Sequence, residues 1–246
     1  MQKIRVTVWN EFIDEKRRPV VRDTYPEGIH EAIASFLRED GRFEVRTSTL
    51  DEPDAGLSDP LLDGTDVLLW WGHVAHHAVP DGRVDRVLAR INEGMGFIAL
   101  HSGFYSKPMV RMVGPRMTGA YREDGEKERV WVVNPAHPIC EGLTDRIEIP
   151  HSEMYAEPNG VAAPDELLFI SWYPGGEVFR SGGVWYRGRG RVFGFTPGHE
   201  EYPIYRQPEI QRVIRNAAAW AYNPPSGYVY RKGAVEPLEP IRPEQE

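Results

Sequence analysis

Over its first hundred residues the chain alternates short apolar runs with amphipathic stretches. Ile4 to Trp9 alternates and is rich in β-branched types, which predicts a first strand. The charged stretch from Asn10 to about Tyr25 reads as a loop. Beyond Pro26, the apolar positions Ile29, Ile33, Phe36 and Leu37 fall on one helical face. Residues 43–48 read as a second strand. After Asp66, Val67 to Trp71 is a continuous apolar run, the pattern of a strand buried on both faces in a parallel sheet. A helix from Asp81 through Val84, Val87, Leu88 and Ile91 to Gly94 leads into a further buried strand, Gly96–Leu100. A strand–helix–strand unit of this kind closes a right-handed parallel crossover.

The middle of the chain changes character. Residues 128–133, 147–151, 167–171, 177–180, 184–187 and 191–195 read as short strands between Gly and Pro turns, some extending the sheet and others forming a hairpin lid. Pro208 to Tyr222 is a closing helix with Ile210, Val213, Ile214, Ala217, Ala218 and Trp220 toward the core. The pattern predicts one α/β domain over residues 1–223. A proline-rich tail follows at 224–246, extended or disordered.

Composition narrows the function classes. The 246 residues carry a net charge of −8, which disfavours a nucleic-acid partner. One cysteine, Cys140, excludes an internal disulfide framework and a cysteine-rich zinc site, and it reads as a small buried residue. The first residues lack the apolar core of a signal peptide, and no run approaches the roughly 20 apolar residues that span a bilayer. A cytoplasmic protein that does not bind membranes is the expectation; a homo-oligomer is compatible with the sequence.

Open α/β sheets bind ligands outside the carboxyl ends of their strands. Asn10 and Glu11 follow the first predicted strand. Later strand ends are followed by Gly72-His73-Val74-Ala75-His76-His77, His101-Ser102-Gly103, His151-Ser152-Glu153 and His199-Glu200-Glu201. Six of the eight histidines thus lie at such ends, His30 and His137 being the others. Convergence of His73, His76, His101 and His199 predicts a divalent metal site, zinc first and manganese second, with an open coordination position. The competing reading is a set of polar loop histidines without a metal. Glu153, Glu200 and His151 are the candidate catalytic residues. Trp71, Tyr105, Tyr155 and Tyr202 are candidate substrate contacts because aromatic faces stack on sugar C–H surfaces; Ser102 and Lys107 join them, the lysine as a group that could steady an anion or a developing oxyanion. Ser102, at a strand-to-helix turn, is also a candidate nucleophile, although the first glycine of G-x-S-x-G is missing.

Several ordered segments carry a family resemblance: Trp70-Trp71-Gly72-His73 with His76, Leu100-His101-Ser102-Gly103, His151-Ser152-Glu153-Met154-Tyr155, Gly175-Gly176-Glu177-Val178-Phe179-Arg180, and Pro197-Gly198-His199-Glu200-Glu201-Tyr202-Pro203. Together they resemble the ThuA-like, trehalose-utilisation proteins as far as about Asn223. The resemblance implies a flavodoxin-like three-layer sandwich with a mostly parallel central sheet, similar to class I glutamine amidotransferases. Where that superfamily carries a cysteine at the elbow, this chain has His101, so glutamine hydrolysis by that route has no nucleophile. Phe104 stands where the family often has a second histidine. The implied activity is metal-assisted catabolism of a disaccharide or keto-sugar, by proton abstraction beside a polarised carbonyl. A non-catalytic sugar-binding or regulatory module derived from an amidotransferase-like fold, and a Ser102-dependent hydrolase, are the alternatives.

Overall fold

The computed structural model describes residues 3–114, 119–224 and 236–239. Its first half contains β1 (Ile4–Asn10), α1 (Asp14–Arg17), α2 (Pro19–Thr24), α3 (Ile29–Arg38), β2 (Phe43–Thr49), α4 (Asp59–Asp63), β3 (Val67–Trp71), α5 (Asp81–Glu93), β4 (Gly96–Leu100) and α6 (Lys107–Val113). Then come β5 (Tyr121–Val132), β6 (Arg146–Tyr155), β7 (Glu166–Trp172), β8 (Val178–Arg187), β9 (Gly190–Phe195) and α7 (Pro208–Ala221). Among the described residues the nine strands form one sheet, in the order β2-β1-β3-β4-β9-β8-β7-β5-β6.

The α/β class matches the sequence expectation, but the sheet is mixed rather than mostly parallel. β2, β1, β3, β4 and β9 pair in parallel, whereas every pairing from β9 out to β6 is antiparallel. The connections explain the change. Residues 173–177 join β7 to β8 and residues 188–189 join β8 to β9, too few for a crossover helix. Alternation along this half makes β6 run in the same sense as β1. The C-terminal end of β6 therefore meets the same sheet edge as those of β1, β3, β4 and β9.

Side chains alternate across the parallel strands and build two cores. Val6, Val8, Leu69, Trp71, Ile98, Leu100 and Phe195 pack with α3 and α7 on one face. Trp9, Leu68, Trp70, Phe97, Ala99 and Val192 pack with α4, α5 and α6 on the other. This is the expected three-layer arrangement. Among the described residues no helix is long and apolar enough to cross a membrane.

Local differences have local causes. The stretch read as a loop contains α1 and α2, and α6 follows the 3-10 turn at His101–Tyr105. β5 begins at Tyr121, earlier than expected, because its charged first half has no apolar alternation to reveal it. The two strands expected at 177–180 and 184–187 are one strand. Gly182 and Gly183 inside it mark close packing rather than a turn: a Cβ on Gly182 would lie 2.5 Å from Phe169 Cδ2, and Phe169 is fully buried. Of the proline-rich tail, only Pro224 and residues 236–239 are described, so the expectation for it lies outside the described residues.

This packing generates a test. Gly182→Ala should destabilise the chain by about 1–3 kcal/mol through overpacking against Phe169. Gly41→Ala, where an added Cβ meets nothing within 4 Å, should leave the thermal midpoint unchanged or slightly raised. Equal midpoints for the two variants would refute the packing account.

Candidate functional site

The centre of the sheet edge is His101, the first residue after β4. Its φ is +50°, a left-handed conformation that a non-glycine residue adopts at a cost and that clusters at functional sites. Its ring is buried and stacks on Trp71, with centroids 6.1 Å apart and planes 17° apart. Nδ1 lies 3.1 Å from the Thr196 carbonyl, which can only accept, so Nδ1 carries the proton. Nε2 keeps its lone pair and has no hydrogen-bond partner, 3.5 Å from Glu153 Oε2 and 3.9 Å from Glu200 Oε2. Burial, reinforced by the charges of His199 and His73, holds the His101 pKa well below the ordinary histidine value. The ring is neutral at pH 7.

His73 has the opposite character. Burial opposes its charge, but its hydrogen bond to Asp14 and the fields of Glu200, Asp14 and Glu11 outweigh that and lift its pKa to about 9. Nδ1 donates to Asp14 Oδ2 at 2.8 Å and lies 3.6 Å from Glu200 Oε1. The turn that carries His73 is pinned by Glu11, whose carboxylate accepts from the backbone N–H groups of Val74 at 2.7 Å and Ala75 at 3.0 Å. Glu200 is fully buried. Arg18 donates to its Oε1 at 2.5 Å and also pairs with Glu201, while Glu200 Oε2 has no hydrogen-bond partner. His73, His101 and Glu200 each offer a ligand atom, all within 4.8 Å of one another, so these three could hold a cation.

Glu153 stands beside them on β6. Burial, with a contribution from Glu123, pushes its carboxyl up to about 7 against the lowering effect of the Tyr155 hydroxyl, which donates to Oε2 at 2.5 Å. A cleft of about 500 Å3 opens over the group, lined by His73, His76, His77, Tyr105, Tyr121, Glu123, Glu153 and Tyr155, with Val74 and Ser102.

The expected residues thus divide. His73, His101, Glu153 and Glu200 come together, with Ser102, Tyr105, Tyr155 and His76 around the cleft and His76 against Tyr105. His199 adjoins His101, centroids 5.6 Å apart. Its Nδ1 accepts from the Glu201 N–H at 3.2 Å, which places its proton on Nε2 and makes it a donor rather than a ligand. His151 lies outside the group because β6 continues through Pro150. It is exposed, it donates from Nδ1 to Gly125 O, and it neighbours Tyr202. Trp71 is fully buried and supports His101 from below, presenting no face to the cleft. Lys107 is spent on Val79 O at 2.7 Å and on Asp81. The Ser102 hydroxyl donates to Gly72 O at 2.9 Å, not to a histidine base. Phe104 packs in the core against Trp185, away from the cleft. Cys140 is buried in the opposite core, where burial pushes its thiol up to about 11. Asp14 and Arg18 were not anticipated; in sequence they belong to an ordinary charged stretch.

Comparison with known proteins shows the family and the fold. The family model described as ThuA, trehalose utilisation, matches residues 5–221. The chain belongs to the ThuA family. A ThuA-like protein from Parabacteroides merdae is 15% identical, with a TM-score of 0.69 over 94% of this chain and 93% of that one. A second, from Bacteroides uniformis, is 16% identical with a TM-score of 0.65, covering 89% and 91%. A glutamine amidotransferase from Thermotoga maritima is 11% identical with a TM-score of 0.52, covering 91% and 100%. At these identities the likeness is one of fold. No curated protein matches the sequence. In this ThuA chain the elbow after β4 carries His101.

The burial of Glu153 has a measurable consequence. Its folded pKa of about 7 lies above the ordinary 4.5, so the folded state favours the protonated carboxyl. The associated stability is present at low pH and is lost as pH rises from 4.5 through 7. In chelator-treated protein, Glu153→Gln should therefore be more stable than the parent at pH 8, by up to about 3 kcal/mol, and equal to it near pH 4. Unfolding curves showing a pH-independent difference would contradict this.

Proposed function

We propose that this protein is an enzyme of trehalose-type disaccharide or keto-sugar catabolism, in which His73, His101 and Glu200 hold a divalent cation and Glu153 is the general base. The observation that carries the reading is the pair of buried, unpartnered ligand atoms, His101 Nε2 and Glu200 Oε2, turned toward each other. Donors on one tetrahedral zinc ion stand about 3.4 Å apart. His101 Nε2 and Glu200 Oε2 stand 3.9 Å apart and the three ligand atoms lie within 4.8 Å of one another, close enough for small side-chain rotations to bring them onto one ion, so the donor set fits. Two imidazoles and a carboxylate leave open positions for substrate. A cation there supplies Lewis-acid polarisation of a sugar carbonyl.

The chain's own groups do the rest. Glu153, whose pKa burial raises and a neighbouring cation would lower, removes a proton from the carbon beside the carbonyl without needing a basic medium. Tyr155 holds that carboxyl in place through Oε2. His199 turns an Nε2–H donor toward the same centre, where it can bond a substrate oxygen. The cleft volume lies within the range of about 300–1,000 Å3 common for small-molecule sites. Among the described residues its lining offers tyrosines, histidines and carboxylates and no arginine or lysine, which suits a neutral polyol better than an anion.

Protein purified without chelators should carry about one equivalent of zinc or manganese by mass spectrometry. It should consume keto-disaccharides, and EDTA should abolish turnover until metal is restored. The charge of a bound cation lowers the Glu153 pKa, so activity of the loaded enzyme should rise with pH through a midpoint below 7, as Glu153 becomes the carboxylate. Glu153→Gln should lower kcat/KM by about 10²–10⁴-fold and His101→Ala should lose the metal. Metal-free protein that stays inert on keto-disaccharides after zinc or manganese is added would overturn the proposal.

A further inference from the structure

One polar atom of each candidate ligand is already occupied. His101 Nδ1 is bonded to Thr196 O, Glu200 Oε1 to Arg18, and His73 Nδ1 to Asp14. Two of these three partners, Asp14 and Arg18, come from the short segment between β1 and α2. That segment is itself firmly anchored. The buried Glu15 accepts from Asn10 Nδ2 at 2.7 Å and from the Ile29 backbone N–H at 3.0 Å, and Asn10 also donates to His30 Nδ1 at 3.0 Å. Glu11, at its start, holds the turn that carries His73. Asp14 is a buried carboxylate with no arginine or lysine among its bonded partners, and its short contact is to the imidazole.

We infer that Asp14 is a positioning residue for cation binding: it keeps the proton of His73 on Nδ1, so that Nε2 presents the lone pair. The inference rests on the cation reading above and adds to it a residue in which the family motifs have no part. A carboxylate behind a ligating histidine fixes the ring's tautomer and orientation and makes it a better donor. Loss of such a partner costs about 10–100-fold in metal affinity. Glutamate retains the charge and the acceptor. Asparagine offers a weaker neutral oxygen and a competing N–H group.

The test uses the full chain, stripped of metal, and Co2+ as the probe. Calorimetry and the visible absorption of bound Co2+ should show Asp14→Asn binding 10–100-fold more weakly with an altered spectrum, and Asp14→Glu restoring both. Thermal melts establish that each variant is folded. Should Asp14→Asn fail to fold, 15N NMR of the wild-type histidine rings loaded with Zn2+ decides the matter: the inference requires His73 with a protonated Nδ1 and a metal-bound Nε2. Unchanged affinity and spectrum in folded Asp14→Asn, or a metal-bound Nδ1 in the wild type, overturns this role alone. Wild-type protein that takes up no Co2+ overturns the cation reading and the role of Asp14 with it.

Discussion

A buried imidazole that spends one nitrogen on a backbone carbonyl has only the other to offer. The bond from His101 Nδ1 to Thr196 O sets this condition, and the surrounding structure enforces it. β4 and β9 are adjacent parallel strands, so the residues just beyond them lie side by side. The positive φ at His101 turns the ring over the sheet edge, and Trp71 from β3 supports it from beneath. The lone pair on Nε2 is therefore directed by three neighbouring strands, and Glu153 and Glu200 gather around it.

Charge is the second constraint. Glu200, Asp14 and Glu153 crowd a region largely withdrawn from water, where uncompensated carboxylates are expensive. Two responses are visible. Glu153 retains its proton up to about pH 7, and His73 holds one up to about pH 9. Arg18 supplies a further positive charge from the outer side. In an arrangement that calls for positive charge on its inner side, the proposed cation would take the place of the second His73 proton.

The sequence made the parallel half legible because strands buried on both faces appear as unbroken apolar runs, and Leu68–Trp71 and Phe97–Leu100 do so. The histidine group could be read for the same reason: residues just beyond such runs must share an edge. The antiparallel half was harder. β5 is half exposed, its first seven residues have no apolar rhythm, and β6 runs on through Pro150, which displaced His151 from the expected strand end. Trp71 could not be oriented from a run in which every residue is buried. Asp14 and Arg18 gave no signal because a charged stretch looks the same whether it faces solvent or two histidines and a glutamate.

The proposed coordination site of His101, His73 and Glu200 can be observed directly. The most direct measurement is anomalous X-ray scattering at the zinc edge from crystals of the full chain grown with Zn2+. The expected result is a single strong peak bonded to His101 Nε2, to His73 and to Glu200 Oε2. Peaks confined to exposed histidines such as His77 and His151, with none between these three side chains, would contradict it.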